Sequence, residues 1–274
     1  MKASFIDVDG IRTRYLHDGQ GEPLLLIHGF GFSADVWVRV LDALAARFQV
    51  VAPDVLGHGF TDWVDAGKEP APLFMARHLS RFLDVIGIKC CVALGSSLGG
   101  VLAALMYLQR PHQITKLIFD AIHTPVSDTG TLDPDGLRGT MKNGVKALTE
   151  PTLQSCIDRM ANICFDRNRA ATDVALMQVT IYAQPDRLEA YTRIGDSIIA
   201  HARNEAVRID PERIAVPSLF LCGRQDIRIP IDVIQVNHHR VRGSRMAVFE
   251  NCGHLPEIEH PERFVAEVTE FITT

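Results

Sequence analysis

Short uninterrupted apolar runs alternate along this chain with stretches in which apolar residues recur every three or four positions. The runs are Leu24 to Ile27, Phe48 to Ala52, Val92 to Leu94, Ile114 to Phe119, Ser218 to Cys222 and Met246 to Phe249. Runs of this length between turn residues match strands buried on both faces of a parallel sheet. Between them, Val36, Val40, Leu44 and Phe48 repeat at helical spacing, as do Phe74, His78, Arg81 and Val85 with their apolar neighbours. A further helix is predicted directly after Ser97. Strand and helix in alternation predict an α/β sheet with right-handed crossovers.

The alternation stops after Ile122. From about 124 to 207 the pattern is helical throughout, with Asp133-Pro134, Glu150-Pro151 and Pro185-Asp186 as helix starts. Arg208-Ile209-Asp210-Pro211 leads back to strands. The expected organisation is a sheet domain made of residues 1–123 and 208–274, with a helical cap formed by 124–207. An insertion at the carboxyl end of a strand would sit over the edge where open α/β sheets bind ligands.

Composition narrows the class without naming a chemistry. The 274 residues are 47% hydrophobic and 22% charged, with net charge −5. That is enough apolar material for a sizeable core, and no basic stripe points to nucleic acid. No apolar run reaches the roughly 20 residues of a membrane span. The amino terminus lacks the apolar core of a secretory signal. The six cysteines have no zinc spacing and mostly lie in apolar runs, as buried thiols of a reducing compartment do. The cytoplasm is therefore the expected location, with no metal, no organic cofactor and a small-molecule substrate as partner. Oligomeric state is not legible.

The candidate chemistry begins at Gly95-Ser96-Ser97-Leu98-Gly99, a G-x-S-x-G string between a predicted strand and a predicted helix. A sharp strand-to-helix turn lifts a serine hydroxyl onto an exposed tip, and glycines let the two elements approach closely. A serine becomes a nucleophile only beside a base that a third group orients. Two later strand ends supply candidates in the order Ser, acid, His: Asp226 after Leu221-Cys222-Gly223, and His254 after Cys252-Gly253. In this assignment His254 takes the Ser97 proton and Asp226 orients the imidazole. The backbone N–H groups of Leu98 and of Phe30, in His28-Gly29-Phe30-Gly31, are the candidate oxyanion donors. Among other histidines, His58 lies upstream of the serine, His260 precedes Pro261 at a helix start, and His238-His239 is a helix end. His123 is a candidate for the pocket wall, with Met141, Met160 and Met177 from the helical segment. Asp120, near a strand end, is the substitute acid.

Together these segments, with Pro53-Asp54-Val55-Leu56-Gly57-His58-Gly59 and the closing Gly253-His254-Leu255-Pro256-Glu257, resemble the capped branch of the α/β-hydrolase superfamily. The resemblance implies a mostly parallel central sheet flanked by helices, with the cap inserted after the sixth strand. Within that branch the chain looks like the carboxylesterases and the carbon–carbon bond hydrolases of aromatic degradation. Relatives that are dehalogenases or epoxide hydrolases use an Asp nucleophile, which Ser97 argues against. The carbon–carbon hydrolases usually carry Asn before the serine, Trp after the histidine and an arginine in the cap that grips an acidic substrate. Here the first two positions are Ser96 and Leu255. Val179 aligns with the third, with Arg159, Arg167, Arg169 and Arg193 as possible substitutes. The expected activity is that of a serine hydrolase forming an acyl-enzyme on a small to medium, largely apolar carboxylic ester. Carbon–carbon bond cleavage of a ring-fission product, and a small-molecule receptor with slow residual hydrolysis, are the alternatives. The cavity decides between the enzymes: an inward arginine favours a carboxylate-bearing substrate, and its absence a neutral ester.

Overall fold

A computed structural model describes residues 1–122 and 134–274. Eight strands form one sheet: β1 (Lys2–Val8), β2 (Ile11–Asp18), β3 (Pro23–Ile27), β4 (Gln49–Pro53), β5 (Cys91–Ser96), β6 (Ile114–Asp120), β7 (Ser218–Gly223) and β8 (Arg245–Phe249). Their spatial order is β1-β2-β4-β3-β5-β6-β7-β8. β2 pairs antiparallel with β1 and β4, and all other neighbours are parallel. The six apolar runs became β3 to β8. Every residue of β5 and β7 is buried, as strands covered on both faces must be.

The hairpin β1–β2 has no counterpart among those runs, because β1 is largely exposed and both strands mix polar with apolar residues. Its turn is Asp9-Gly10, both with positive φ (52° and 85°), the conformation a two-residue hairpin turn demands.

The helices are α1 (Val38–Ala45), α2 (Ala71–Val85), α3 (Leu98–Gln109), α4 (Pro134–Thr149), α5 (Leu153–Ala161), α6 (Thr172–Tyr182), α7 (Arg187–Ala200), α8 (Ile231–Arg240), α9 (Pro256–Glu259) and α10 (Pro261–Thr273). The stretch expected as one helix from Val36 opens as a 3₁₀ turn, Ala34–Trp37, with the Ser33 side chain capping Asp35 N–H. α4 to α7 all lie between β6 and β7 in the chain. Thr152 caps α5 through a reciprocal capping box with Ser155, so that helix starts two residues after the Glu150-Pro151 signal. Two apolar clusters fill the core: one includes Leu25, Ile27, Phe119 and Phe220, the other Leu24, Leu26, Trp37 and Phe249. Alternate residues of β3 thus feed opposite faces. All six cysteines are free thiols, Cys90 exposed and Cys164 half-buried. Among the described residues no helix is long and apolar enough to cross a membrane.

Candidate active site

Ser97 stands between β5 and α3 with φ 52° and ψ −116°, a backbone conformation that side-chain-bearing residues rarely adopt. The turn closes because two glycines flank it. A Cβ on Gly95 would overlap the backbone of Gly99, and one on Gly99 would overlap the Ile27 carbonyl. The Ser97 N–H donates to Asp120 O at 2.8 Å, pinning the turn to β6. Leu98 is the first residue of α3, where N–H groups have no intrahelical acceptor.

His254 and Asp226 come from the ends of the two last strands. His254 Nδ1 lies 2.7 Å from Asp226 Oδ2. The other carboxylate oxygen, Oδ1, accepts the Arg228 and Ile229 N–H groups at 2.8 and 3.2 Å. The carboxylate is therefore locked by its own turn, and Nδ1 carries the proton that it accepts.

A cavity of about 520 Å³ opens over these elements. Its wall includes Gly29, Phe30, Ser97, Leu98 and His254, so the residues predicted as nucleophile, base and oxyanion donors line one space. Ser96 and Leu255, the two departures from the carbon–carbon hydrolase pattern, also line it.

The Phe30 loop is held from both sides. His28 Nε2 accepts the Val55 N–H at 2.9 Å, so its Nδ1 must be the protonated nitrogen, 2.9 Å from Gly29 O. Burial lowers the pKa of His28 to about 4, which keeps it neutral in this role. Beneath the loop, the buried Arg14 forks onto Asp35 at 2.7 and 2.8 Å and reaches Asp54 at 3.2 Å. Asp54 also accepts the Ala34 and Phe60 N–H groups at 2.7 and 2.8 Å. From the helical side, Tyr182 donates to Gly31 O at 2.6 Å and Arg159 Nη2 to Phe30 O at 3.1 Å. Tyr191 stacks on the Phe30 ring at 4.3 Å. Gly31, with φ 74°, has no room for a Cβ between Arg159 and Tyr191.

The histidine loop is tied to the helical segment in the same way. The His254 N–H donates to Ile163 O at 2.8 Å. The Glu259 carboxylate gathers the Gly253, Phe165 and Asp166 N–H groups at 2.7, 2.9 and 3.2 Å. Burial raises its pKa against the pull of those amides.

Of the four arginines considered for a substrate grip, only Arg159 lines the cavity. It is 7% exposed, its Cζ lies 4.7 Å above the Phe32 ring, and its Nη1 is buried with no hydrogen-bond partner among the described residues. Arg167 bonds Asn162, Arg169 reaches Glu259 O, and Arg193 pairs with Glu189 and Asp65. A second cavity arginine, Arg228, escaped the sequence reading. Burial, and the nearby Arg159 charge, push its pKa below the ordinary arginine value. Its only signal is its position two residues beyond Asp226. Glu257, three residues beyond His254 at the start of a short helix, was missed as a wall residue for the same reason.

The methionines expected in the pocket wall stand elsewhere. Met160 is fully buried, its sulfur 3.1 Å from the Ala171 N–H that points to it. Met141 packs where Gly195 leaves room, and Met177 lies against the larger apolar cluster. Apolar residues at helical spacing have gone into packing α4 to α7 together. The wall instead takes Ile163 and Ile198 from the helical segment and Ile227, Pro230 and Val233 from the stretch after Asp226. His123 lies outside the described residues.

A family described as having the alpha/beta hydrolase fold matches residues 22–261. The chain belongs to that family. Its relatives include the 2-hydroxy-6-oxo-2,4-heptadienoate hydrolase of Pseudomonas putida, 26% identical over 96% of this chain and 93% of that protein. The 2-hydroxy-6-oxononadienedioate/2-hydroxy-6-oxononatrienedioate hydrolase of Paraburkholderia xenovorans is 29% identical over 96% of this chain and 91% of the relative. A solved serine hydrolase involved in carbazole degradation superposes with a TM-score of 0.83 at 23% identity, covering 99% of this chain and 98% of its own. This α/β hydrolase is therefore similar in sequence to hydrolases named for 2-hydroxy-6-oxo acids and similar in fold to a serine hydrolase.

Proposed function

We propose that the protein is a serine hydrolase that cleaves a carbon–carbon bond in a carboxylate-bearing vinylogous diketone, the product class of aromatic ring fission. The observation that carries the substrate choice is Arg159. A guanidinium keeps its charge when buried, and an unmatched N–H facing a cavity is costly unless a ligand completes it. Arg159 is a cation in the cavity wall whose buried Nη1 has no hydrogen-bond partner among the described residues, and a carboxylate is the natural acceptor for such a group. The named activities of the Pseudomonas and Paraburkholderia relatives agree with this reading over the neutral ester first expected.

In this reading α4 to α7 act as the cap, and Arg159 anchors the acid end of the substrate so that its distal ketone lies over Ser97. His254, its tautomer held by Asp226, takes the hydroxyl proton as Ser97 Oγ adds to the ketone carbon. The oxyanion that forms accepts the N–H groups of Phe30 and Leu98. As the tetrahedral centre collapses, the carbon–carbon bond breaks and its electron pair enters the conjugated keto acid. The proton held by His254 passes to that fragment. Water then attacks the acyl-Ser97 ester, with His254 again the base, and releases the second acid. Arg159 thus takes the place of the family arginine expected at Val179.

The test is a direct comparison of kcat/KM on a 2-hydroxy-6-oxo-dienoic ring-fission acid and on an aryl acetate. The acid is expected to be preferred by at least two orders of magnitude. A preference for the aryl acetate would return the assignment to a neutral ester hydrolase. A fluorophosphonate adduct on Ser97 tests the nucleophile independently of substrate.

A further inference from the structure

The loop from Gly29 to Phe32 runs against the nucleophile: a Cβ on Gly29 would lie 3.3 Å from Ser97 Cβ. Residues 29–31 are buried, and the carbonyl oxygen of each has a partner. Gly29 O accepts the Phe32 N–H at 3.2 Å and faces His28 Nδ1 at 2.9 Å, both within the sheet domain. The other two are gripped from the inserted helices. Arg159 of α5 donates to Phe30 O at 3.1 Å, and the Tyr182 hydroxyl, at the end of α6, donates to Gly31 O at 2.6 Å. Tyr191 of α7 stacks on the Phe30 ring at 4.3 Å. Its hydroxyl end fills the space that Gly144 of α4 leaves open, since a Cβ on Gly144 would overlap it. Among the described residues, neither Tyr182 nor Tyr191 lines the cavity.

A planar trans peptide points its N–H opposite its C=O, so fixing the carbonyls of a loop fixes its amides as well. Gly31, at φ 74°, has no Cβ to restrict the chain, and the shape of this turn depends on what holds its carbonyls. We propose that Tyr182 and Tyr191 are positioning residues: acting from the inserted helices, they hold the Phe30 peptide where its N–H meets the oxyanion formed at Ser97. They act only through the loop, and the inserted segment thereby completes the oxyanion site as well as roofing the cavity. Tyr182 is the stronger grip, because its bond to a buried carbonyl is directional. Burial raises its phenol above the ordinary tyrosine value, so it stays a donor across the neutral range. Its ring lies 5.8 Å from Arg159 Cζ, and Tyr182→Phe keeps that ring while removing the bond to Gly31. A bond of the same kind supplies a control. Gln184 Nε2, just past α6, donates to Gly59 O at 3.0 Å, a carbonyl outside the Phe30 loop.

The proposal rests on the reading of Ser97 as nucleophile and Phe30 N–H as oxyanion donor, and the experiment separates the two. Two neutral probes read the oxyanion site without depending on the choice of substrate. One is the rate at which a fluorophosphonate labels Ser97. The other is inhibition by phenyl trifluoromethyl ketone: the Ser97 Oγ–carbon bond forms, the carbonyl π pair moves onto oxygen, and the hydroxyl proton passes to His254. Tyr182→Phe is expected to slow labelling and raise the inhibition constant about tenfold, less than the roughly 10²–10³ that loss of a whole donor costs. KM for a ring-fission acid stays within about twofold, because the cavity wall is untouched. Gln184→Met leaves all three readings within about twofold, and Tyr191→Leu falls between the two variants. Circular dichroism reports folding, and if Tyr182→Phe does not fold, Tyr191→Leu against Gln184→Met decides. Unaltered labelling and inhibition in Tyr182→Phe, equal losses in Tyr182→Phe and Gln184→Met, or loss of fold in both tyrosine variants makes the tyrosines structural supports alone and overturns the proposal. Failure of the fluorophosphonate to label Ser97 in the unaltered protein overturns the underlying reading of the site as well.

Discussion

Asp54 and Asp120 are fully buried carboxylates at the carboxyl ends of β4 and β6, in opposite circumstances. Asp54 has Arg14 and two backbone amides, in a network that continues to Asp35. Burial raises it to about 6, with Arg14 and the amides pulling it back. Asp35 is also pushed up by burial, but Arg14 and Ser33 outweigh that and hold it below the ordinary carboxylate range. Every charge in this group is answered, and the group buttresses the Phe30 loop. Neither carboxyl oxygen of Asp120 has a hydrogen-bond partner among the described residues, and the buried Arg159 keeps its Nη1 without an acceptor among them. A buried pair of charges is costly to break by removing one partner. Unsatisfied buried charges persist where something other than folding uses them. On the proposed function the contrast sets a supporting cluster against a working one, and it can be broken experimentally.

Ser97→Ala should produce the largest effect, a fall in turnover of about 10⁶ with an unchanged unfolding midpoint. Residual turnover above one part in a thousand would place the nucleophile elsewhere. Next comes Asp226→Asn, expected to cost about 10⁴ in kcat by presenting the imidazole in the wrong tautomer. A loss below tenfold would hand the orienting role to Asp120. On the supporting side, Arg14→Met removes the counter-charge of two buried carboxylates and should destabilise the fold by about 3–5 kcal/mol in urea denaturation. A change under about 1 kcal/mol would show that the paired cluster does not brace the loop. Smallest is Arg159→Met, expected to lower kcat/KM on a ring-fission acid by about 100-fold, chiefly through KM, with stability held or raised. Equal losses on the acid and on a neutral ester would mean that Arg159 holds the Phe30 loop without selecting substrate.

The sheet from β3 to β8 was legible because doubly buried strands are continuous apolar runs. β1 and β2 were not, since β1 is largely exposed and the polar residues of both strands break up any apolar run. Ser97, Asp226 and His254 could be named because each follows such a run, next to glycine or in a tight turn. The pocket wall was the weakest reading. Met141, Met160 and Met177 have the right chemistry for a wall, yet helical spacing says which residues share a face without saying what that face meets. Arg159 was one of four arginines with equal claims, and only burial separates it from Arg167, Arg169 and Arg193.

By itself the sequence determined the α/β alternation, the insertion after β6 and the order of the candidate nucleophile, acid and base, because these depend on local periodicity and on turns that only certain residues can make. The tertiary structure decided which charges are answered. Whether Arg159 or Asp120 finds a partner, as Asp54 does in Arg14, depends on side chains brought together from distant positions in the chain. No local pattern carries the free energy of such a meeting: it arises from the removal of water around both groups at once.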